Sequence, residues 1–222
     1  MKEISVFEII GPCMIGPSSS HTAGALRIAL LARNLVKESI RNVPFTLYGS
    51  FARTYRGHGT DRALVAGILG FQTEDARIKD SFAYAQEAGV AYEFLVDPAT
   101  KMLHPNTVDI VLEDQAGNRA KVRGESIGGG AAVITKINGI DVSFSGEYST
   151  VGIEQKDGPG VLAYIAKCMS DHGVNIAFTK MFREAKGKAA YTIIEADNEI
   201  TKDIVEKLEQ SKSIRSAILI EA

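Results

Sequence analysis

The sequence predicts an α+β chain built in two parts. Three observations predict it. Segments with helical apolar spacing alternate with short strand-like segments through the first part. Asn138-Gly139 stands between two strand-like runs, a strong short-range hairpin signal. From Thr150 onward the elements read βαββαβ, the order of a ferredoxin-like sandwich with both helices on one face of its sheet. The seam falls near Ser145-Gly146-Glu147, which sets residues 1–145 apart from residues 148–222.

The first part opens with a short strand, Ser5 to Ile10, and a Gly/Pro/Ser stretch from Gly11 to Ser20. A helix follows from about Thr22 to Ser39, because Leu26, Leu30, Leu31 and Leu35 recur at helical spacing. Phe45 to Ser50 reads as a strand. Gly57-His58-Gly59-Thr60-Asp61 is a loop leading into a helix, Asp61 to Leu69, which Gly70 ends. A further helix covers roughly Glu74 to Ala88 and stops at Gly89. Strands are expected at Ala91–Val96, Thr107–Glu113, Arg119–Ile127, Ala132–Ile137 and Ile140–Ser145.

In the second part Thr150–Gln155 is a strand, and Asp157-Gly158-Pro159-Gly160 turns into a helix from Val161 to His172. Val174–Glu184 and Ala189–Glu195 form a hairpin across Lys186-Gly187-Lys188. Thr201 caps a second helix reaching Gln210, and Ile214–Ile220 closes the sheet. A domain this small leaves a sheet edge and helix faces for self-association.

Composition narrows the function classes. The 222 residues are 45% hydrophobic and 23% charged, with a net charge of -2. That composition suits a globular chain rather than a disordered one. No Lys/Arg run offers a footprint for nucleic acid or an anionic membrane. Every long apolar run is interrupted by charge, so no bilayer span is expected. Glu3 and Glu8 are wrong for a secretory signal, and a cytoplasmic location is the expectation. Cys13 and Cys168 are the two cysteines, fewer than the roughly three or four thiolates an iron–sulfur cluster takes. His21, His58, His104 and His172 lack zinc-ligand spacing, so no metal site is expected on this chain.

Four short motifs carry chemistry. Ser18-Ser19-Ser20-His21-Thr22 precedes the first long helix with more hydroxyls than one cap needs. Hydroxyls, free N–H groups and the helix dipole there suit a carboxylate or phosphate; the alternative is a heavily capped helix start. Gly57-His58-Gly59-Thr60-Asp61-Arg62 repeats the idea, and His58 and Asp61 are close enough in sequence to share a proton. Its alternative is a tight turn capped by Thr60 or Asp61. His104-Pro105-Asn106 and Gly128-Gly129-Gly130, each taken alone, read as turns. His172 suits the last turn of its helix. In the second part, Asp157-Gly158-Pro159-Gly160 and Asn175 mark a loop region where an amino acid's carboxylate fits, or simply a glycine turn.

Together, the Ser18–Thr22 run, the Gly57–Asp61 loop, His104-Pro105-Asn106 and Gly128-Gly129-Gly130 resemble the beta region of the bacterial iron–sulfur L-serine dehydratases. Residues 1 to about 145 are similar to that family's allosteric substrate-binding (ASB) domain. Residues 148 to 222 are similar to an ACT domain, through Asp157-Gly158-Pro159-Gly160 and Val174-Asn175-Ile176. The resemblance implies a beta chain acting with a separate alpha chain that carries the [4Fe–4S] cluster. The implied reaction is elimination of water from L-serine, giving pyruvate and ammonia. It implies a substrate region of Ser18, Ser19, Ser20, Thr22, Thr60 and Asn106, with His21, His58 and Asp61 as the proton-handling residues. The sequence does not choose between His21 and His58 as the base. Two other readings stay open: an amino-acid-sensing module regulating another enzyme, and a purely structural dimerisation partner.

Overall fold

The computed structural model describes residues 14–36, 38–102 and 104–220. The expected strand Ser5–Ile10 and Cys13 lie outside the described residues. The chain divides into two compact units, Met1–Gly139 and Ile140–Ala222. Among the described residues no helix is long and apolar enough to cross a membrane.

The first unit runs α1 (Ala23–Arg33), β1 (Ile40–Tyr48), α2 (Gly49–Thr54), α3 (Thr60–Leu69), a 3-10 turn (Ala76–Asp80), α4 (Ser81–Glu87), β2 (Ala91–Asp97), β3 (Thr107–Asp114), β4 (Arg119–Gly128) and β5 (Ala131–Ile137). Its strands lie in the order β2-β1-β3-β4-β5. β1 and β2 are parallel, as the helical crossover between them requires. The other neighbours are antiparallel.

Missing side chains let the layers close. Gly124 of β4 leaves room for Ile28 of α1, and Gly24 of α1 sits against the Ser126 hydroxymethyl group of β4. Gly67 of α3 admits the backbone of Leu26 and the methyl group of Ala29. Ile28, Leu31, Phe45, Leu64, Ile110 and Leu112 are fully buried in this packing.

Several boundaries differ from the sequence reading. α1 ends at Arg33, because Leu35 and Val36 donate three residues back, to Ala32 and Arg33, and tighten the chain out of the helix. The expected helix from Glu74 to Ala88 is two pieces. Asp75 caps the 3-10 turn by accepting from Arg77 N–H at 2.9 Å. The buried Ser81 hydroxyl then donates to the Arg62 carbonyl and starts α4 afresh. The strand expected at Phe45–Ser50 begins at Ile40 and stops at Tyr48, and Gly49, at φ +55°, turns the chain into α2. Asn138 (φ +50°) and Gly139 (φ +85°) make the expected hairpin turn, both in the left-handed region.

The second unit opens with β6 (Ile140–Phe144). It continues through β7 (Ser149–Lys156), α5 (Val161–Asp171), β8 (Ile176–Arg183), β9 (Ala189–Ala196), α6 (Lys202–Glu209) and β10 (Ile214–Ile220). Its four-stranded sheet has the order β10-β7-β9-β8, antiparallel throughout. This is the ferredoxin-like order. Val151, Ile153, Ile194 and Ala217 from the sheet meet Ile165 and Met169 of α5 and Ile204 and Leu208 of α6 in one core. Both helices therefore cover the same face. Gly173 (φ +71°) ends α5, with Val174 N–H returning to the Met169 carbonyl. Thr201 precedes α6 as expected, but its hydroxyl engages the Asp203 carboxylate instead of a backbone N–H.

Candidate functional site

Strand register decides where the motifs go. Leu47 pairs with Val108, and Thr107 pairs with Glu125. The end of β1, the start of β3 and the end of β4 therefore lie at one end of the first unit's sheet. Gly49-Ser50 directly follows β1, His104-Pro105-Asn106 directly precedes β3, and Ser126 lies near the end of β4. The Gly24–Ser126 contact brings the start of α1 to the same place.

His21 lies in the turn before α1. Its Nδ1 is 3.3 Å from both Ser18 Oγ and Ser20 Oγ, and its Nε2 is 3.0 Å from Ser50 Oγ. Both ring nitrogens are thus engaged. The Phe51 ring meets the imidazole edge-on at 5.4 Å. On another side the His58 ring stands 4.7 Å away between centroids. Burial first, and the neighbouring His58 second, hold the His21 pKa below its ordinary value.

His58 has a different environment. Its Nδ1 is buried and has no hydrogen-bond partner. The Oγ1 of Thr60, the Oδ1 of Asn106 and the Oγ of Ser126 share that condition. Such atoms are costly to leave unpaired. His58, Thr60 and Asn106 belong to the motifs and Ser126 to β4, and together they make this end of the first unit the candidate place for a polar ligand; Gln155 Oε1 and Thr192 Oγ1 of the second unit are unpaired as well.

Some expected roles do not survive the geometry. Thr22 is buried, and its hydroxyl donates to the Ser18 carbonyl and lies 3.7 Å from Met14 Sδ, so it braces the turn. The helix N–H groups expected to be free are partly spent: Thr22 N–H donates to the Ser18 carbonyl and Gly24 N–H to the Ser19 carbonyl, each at 2.8 Å. His21 N–H reaches Ser18 Oγ at 3.4 Å. Neither Thr60 nor Asp61 caps α3; Gly59, at φ +71°, holds the cap position. Asp61 accepts from Arg62 N–H instead of pairing with His58 Nδ1, and burial raises its pKa. His104 Nδ1 accepts from Asn106 N–H at 3.2 Å and shapes its loop. Gly128, Gly129 and Gly130 all adopt positive φ, and Arg27 of α1 donates to the Gly130 carbonyl.

Ser50 and Ser126 were not singled out by sequence reasoning. The available cue for Ser50 was Gly49, a turn signal directly behind a strand. In the second unit, Asp157 accepts from Gly187 N–H and faces Arg183. Asn175 bonds with Asp197 and Asn198. Asp157 follows the Lys156 end of β7, while Asn175 lies beside the Ser149–Ala196 end. The strand length separates them by roughly 20 Å, so one protomer does not join Asp157-Gly158-Pro159-Gly160 and Asn175 in one loop site.

Residues 5–93 match the family described as serine dehydratase beta chain. The chain is 45% identical over 219 residues to the L-serine dehydratase beta chain of Peptoniphilus asaccharolyticus, covering 99% of this chain and 94% of that one. This chain belongs to the L-serine dehydratase beta chain family. It is also 41% identical over 214 residues to a probable L-serine dehydratase beta chain of Bacillus subtilis (strain 168), covering 96% of each. Over 75 residues it is 47% identical to L-serine dehydratase 2 of Escherichia coli (strain K12), a stretch equal to 16% of that longer protein. The family membership agrees with the resemblance drawn from the Ser18–Thr22 and Gly57–Asp61 motifs.

The family also implies an iron–sulfur cluster, and the donor set of this chain does not fit one. Its two cysteines are Cys13 and the buried Cys168. Among the described residues no group of three or more His, Cys, Asp or Glu side chains is arranged to hold a metal ion.

Proposed function

We propose that this chain is the beta subunit of a two-chain L-serine dehydratase and supplies the substrate-binding and proton-handling side of the site. The products are pyruvate and ammonia. The [4Fe–4S] cluster belongs to a separate alpha chain, in keeping with the two-cysteine count. Met1–Gly139 takes the part of the ASB domain and Ile140–Ala222 that of the ACT domain. Exposed Leu162, Phe178 and Met181 on the second unit support self-association there.

One observation carries the assignment of roles: His58 Nδ1 is buried and unpartnered while both nitrogens of His21 are engaged. His58 is the base. It accepts the α-proton of serine at Nδ1, and the C–H electron pair becomes the C=C bond of aminoacrylate as the β-hydroxyl departs. Aminoacrylate then tautomerises and hydrolyses. His21 holds the His58 ring edge-on. The Ser18 and Ser20 hydroxyls donate to the substrate carboxylate. The Asn106 Oδ1 accepts a hydrogen bond from the substrate ammonium, and Thr60 Oγ1 closes the same pocket.

The test is steady-state kinetics and α-proton exchange on the complex with the alpha chain, with iron measured for each variant. His58→Ala keeps assembly and iron, abolishes exchange and lowers kcat by about two to four orders of magnitude. Full turnover by His58→Ala at full iron content would overturn the reading.

A further inference from the structure

Ser50 stands in the first turn of α2, just after β1 delivers the chain to the site. Its backbone N–H donates to the Pro105 carbonyl at 2.7 Å, and Gly49 lies directly against Pro105. Its hydroxyl lies 3.0 Å from His21 Nε2, the shortest of the three side-chain contacts that ring makes with hydroxyls. One residue thus connects the start of α1 with the His104-Pro105-Asn106 loop.

We propose that Ser50 is a positioning residue of the elimination site, whose hydroxyl donates to His21 Nε2 and holds that imidazole as the Nδ1–H tautomer, edge-on to His58. The hydrogen-bond directions support this assignment. Ser18 Oγ already accepts from His21 N–H and lies beside Nδ1 together with Ser20 Oγ, so this side of the ring offers acceptor oxygens. A proton on Nδ1 leaves Nε2 as the acceptor, and the Ser50 hydroxyl is the donor that meets it. The contacts at Nδ1 are both 3.3 Å, long for hydrogen bonds, so Ser50 is the firmest hold on the ring. Around His21 stand Ser18 and Ser20 from its own turn, Ser50 and Phe51 from α2 and His58 from the start of α3. His58 is the other titratable group in that set. A ring free to rotate or change tautomer no longer presents one fixed edge to His58.

The proposal rests on the reading of His58 as base and His21 as its support, and two measurements keep the questions apart. The first is the histidine ring nitrogen NMR spectrum of the full chain alone, which needs no activity. Wild type shows His21 as a single Nδ1–H tautomer. Ser50→Ala shows a mixture, and Ser50→Thr, which keeps the hydroxyl, restores the single form. The second is kinetics on the complex with the alpha chain at matched iron content. Ser50→Ala lowers kcat by about 10- to 100-fold, as for other histidine-orienting partners. It leaves KM within about twofold, because ground-state binding is untouched, and shifts the acid limb of the pH profile upward; Ser50→Thr recovers most of the rate. An unchanged His21 tautomer in Ser50→Ala, or a wild-type kcat and acid limb, overturns the proposal. Wild-type kinetics in both His21→Ala and His58→Ala would instead overturn the reading beneath it, and the proposal with it.

Discussion

The imidazoles of His21 and His58 meet edge to face, with centroids 4.7 Å apart and planes inclined by 66°. Two rings this close are not both charged at modest cost. One is engaged at both nitrogens and the other is unpartnered at Nδ1, the difference on which the proposed division between support and proton transfer rests.

That pair makes stability depend on pH in a defined direction. The folded chain binds a proton at His21 less readily than the unfolded chain, whose histidines titrate near about 6.5. Just below that pH the unfolded state holds the extra proton, so the His21 contribution to stability falls as pH drops from about 7.5 to about 5.5. Carboxylates with lowered pKa, such as Glu113 and Asp114, act at lower pH, below about 5. Urea unfolding of the full chain across that window checks this. Wild type loses stability on acidification, and His21→Gln flattens the slope. An equal slope in both removes His21 from the effect.

The thiol count makes a second prediction. The chain purified alone is colourless, carries no stoichiometric iron and makes no pyruvate from serine. Co-expressed with the alpha chain, it yields a brown, oxygen-sensitive, active complex. Iron quantification after anaerobic reconstitution is the measurement. Cluster-level iron on the lone chain would contradict an inference drawn from Cys13 and Cys168 alone.

Packing at Gly124 gives a third. A methyl group there runs into Ile28, which is fully buried. Gly124→Ala therefore destabilises the chain by about 1–3 kcal/mol, the usual range for overpacking. Ile28→Ala alone leaves a cavity and costs about 2–5 kcal/mol. The double variant costs less than the two added together, because the new methyl group partly fills the space vacated by Ile28. Strict additivity in chemical denaturation would show that the two positions do not share this space.

Local signals were legible wherever the chain itself sets the outcome. Asn138-Gly139 needs only its own backbone preferences to turn, and the βαββαβ order follows from apolar spacing. The Gly57–Asp61 and Ser18–Thr22 motifs each read as a candidate site, but the approach of His21 to His58 belongs to the tertiary fold, which no short motif encodes. Ser50 reads as the end of a strand in sequence because the turn at Gly49 is made against Pro105, distant in the chain. The end of α1 at Arg33 was missed because Leu35 fits the helical spacing while its N–H bonds only three residues back.

The proposed function divides the Ser18–Thr22 run into serines that bind the substrate and one residue, Thr22, that holds the turn. Thr22 is buried and its hydroxyl donates to the Ser18 carbonyl. Thr22→Val removes that bond at nearly constant shape and costs about 1 kcal/mol of stability. It leaves KM for serine within about twofold, because no Thr22 atom reaches the substrate side. Ser20 is half-buried, and its hydroxyl contacts are long ones, 3.3 Å to His21 Nδ1 and 3.4 Å to Ser18 Oγ. Little folding energy is lost with it, so Ser20→Ala stays within about 0.5 kcal/mol of wild type. If its hydroxyl binds the carboxylate in ground and transition states alike, KM rises while kcat holds. Thermal denaturation of the full chain and steady-state kinetics of the complex, measured on both variants, decide the matter. The inverse pattern, with Thr22→Val raising KM and Ser20→Ala costing stability, would show that the run is turned the other way.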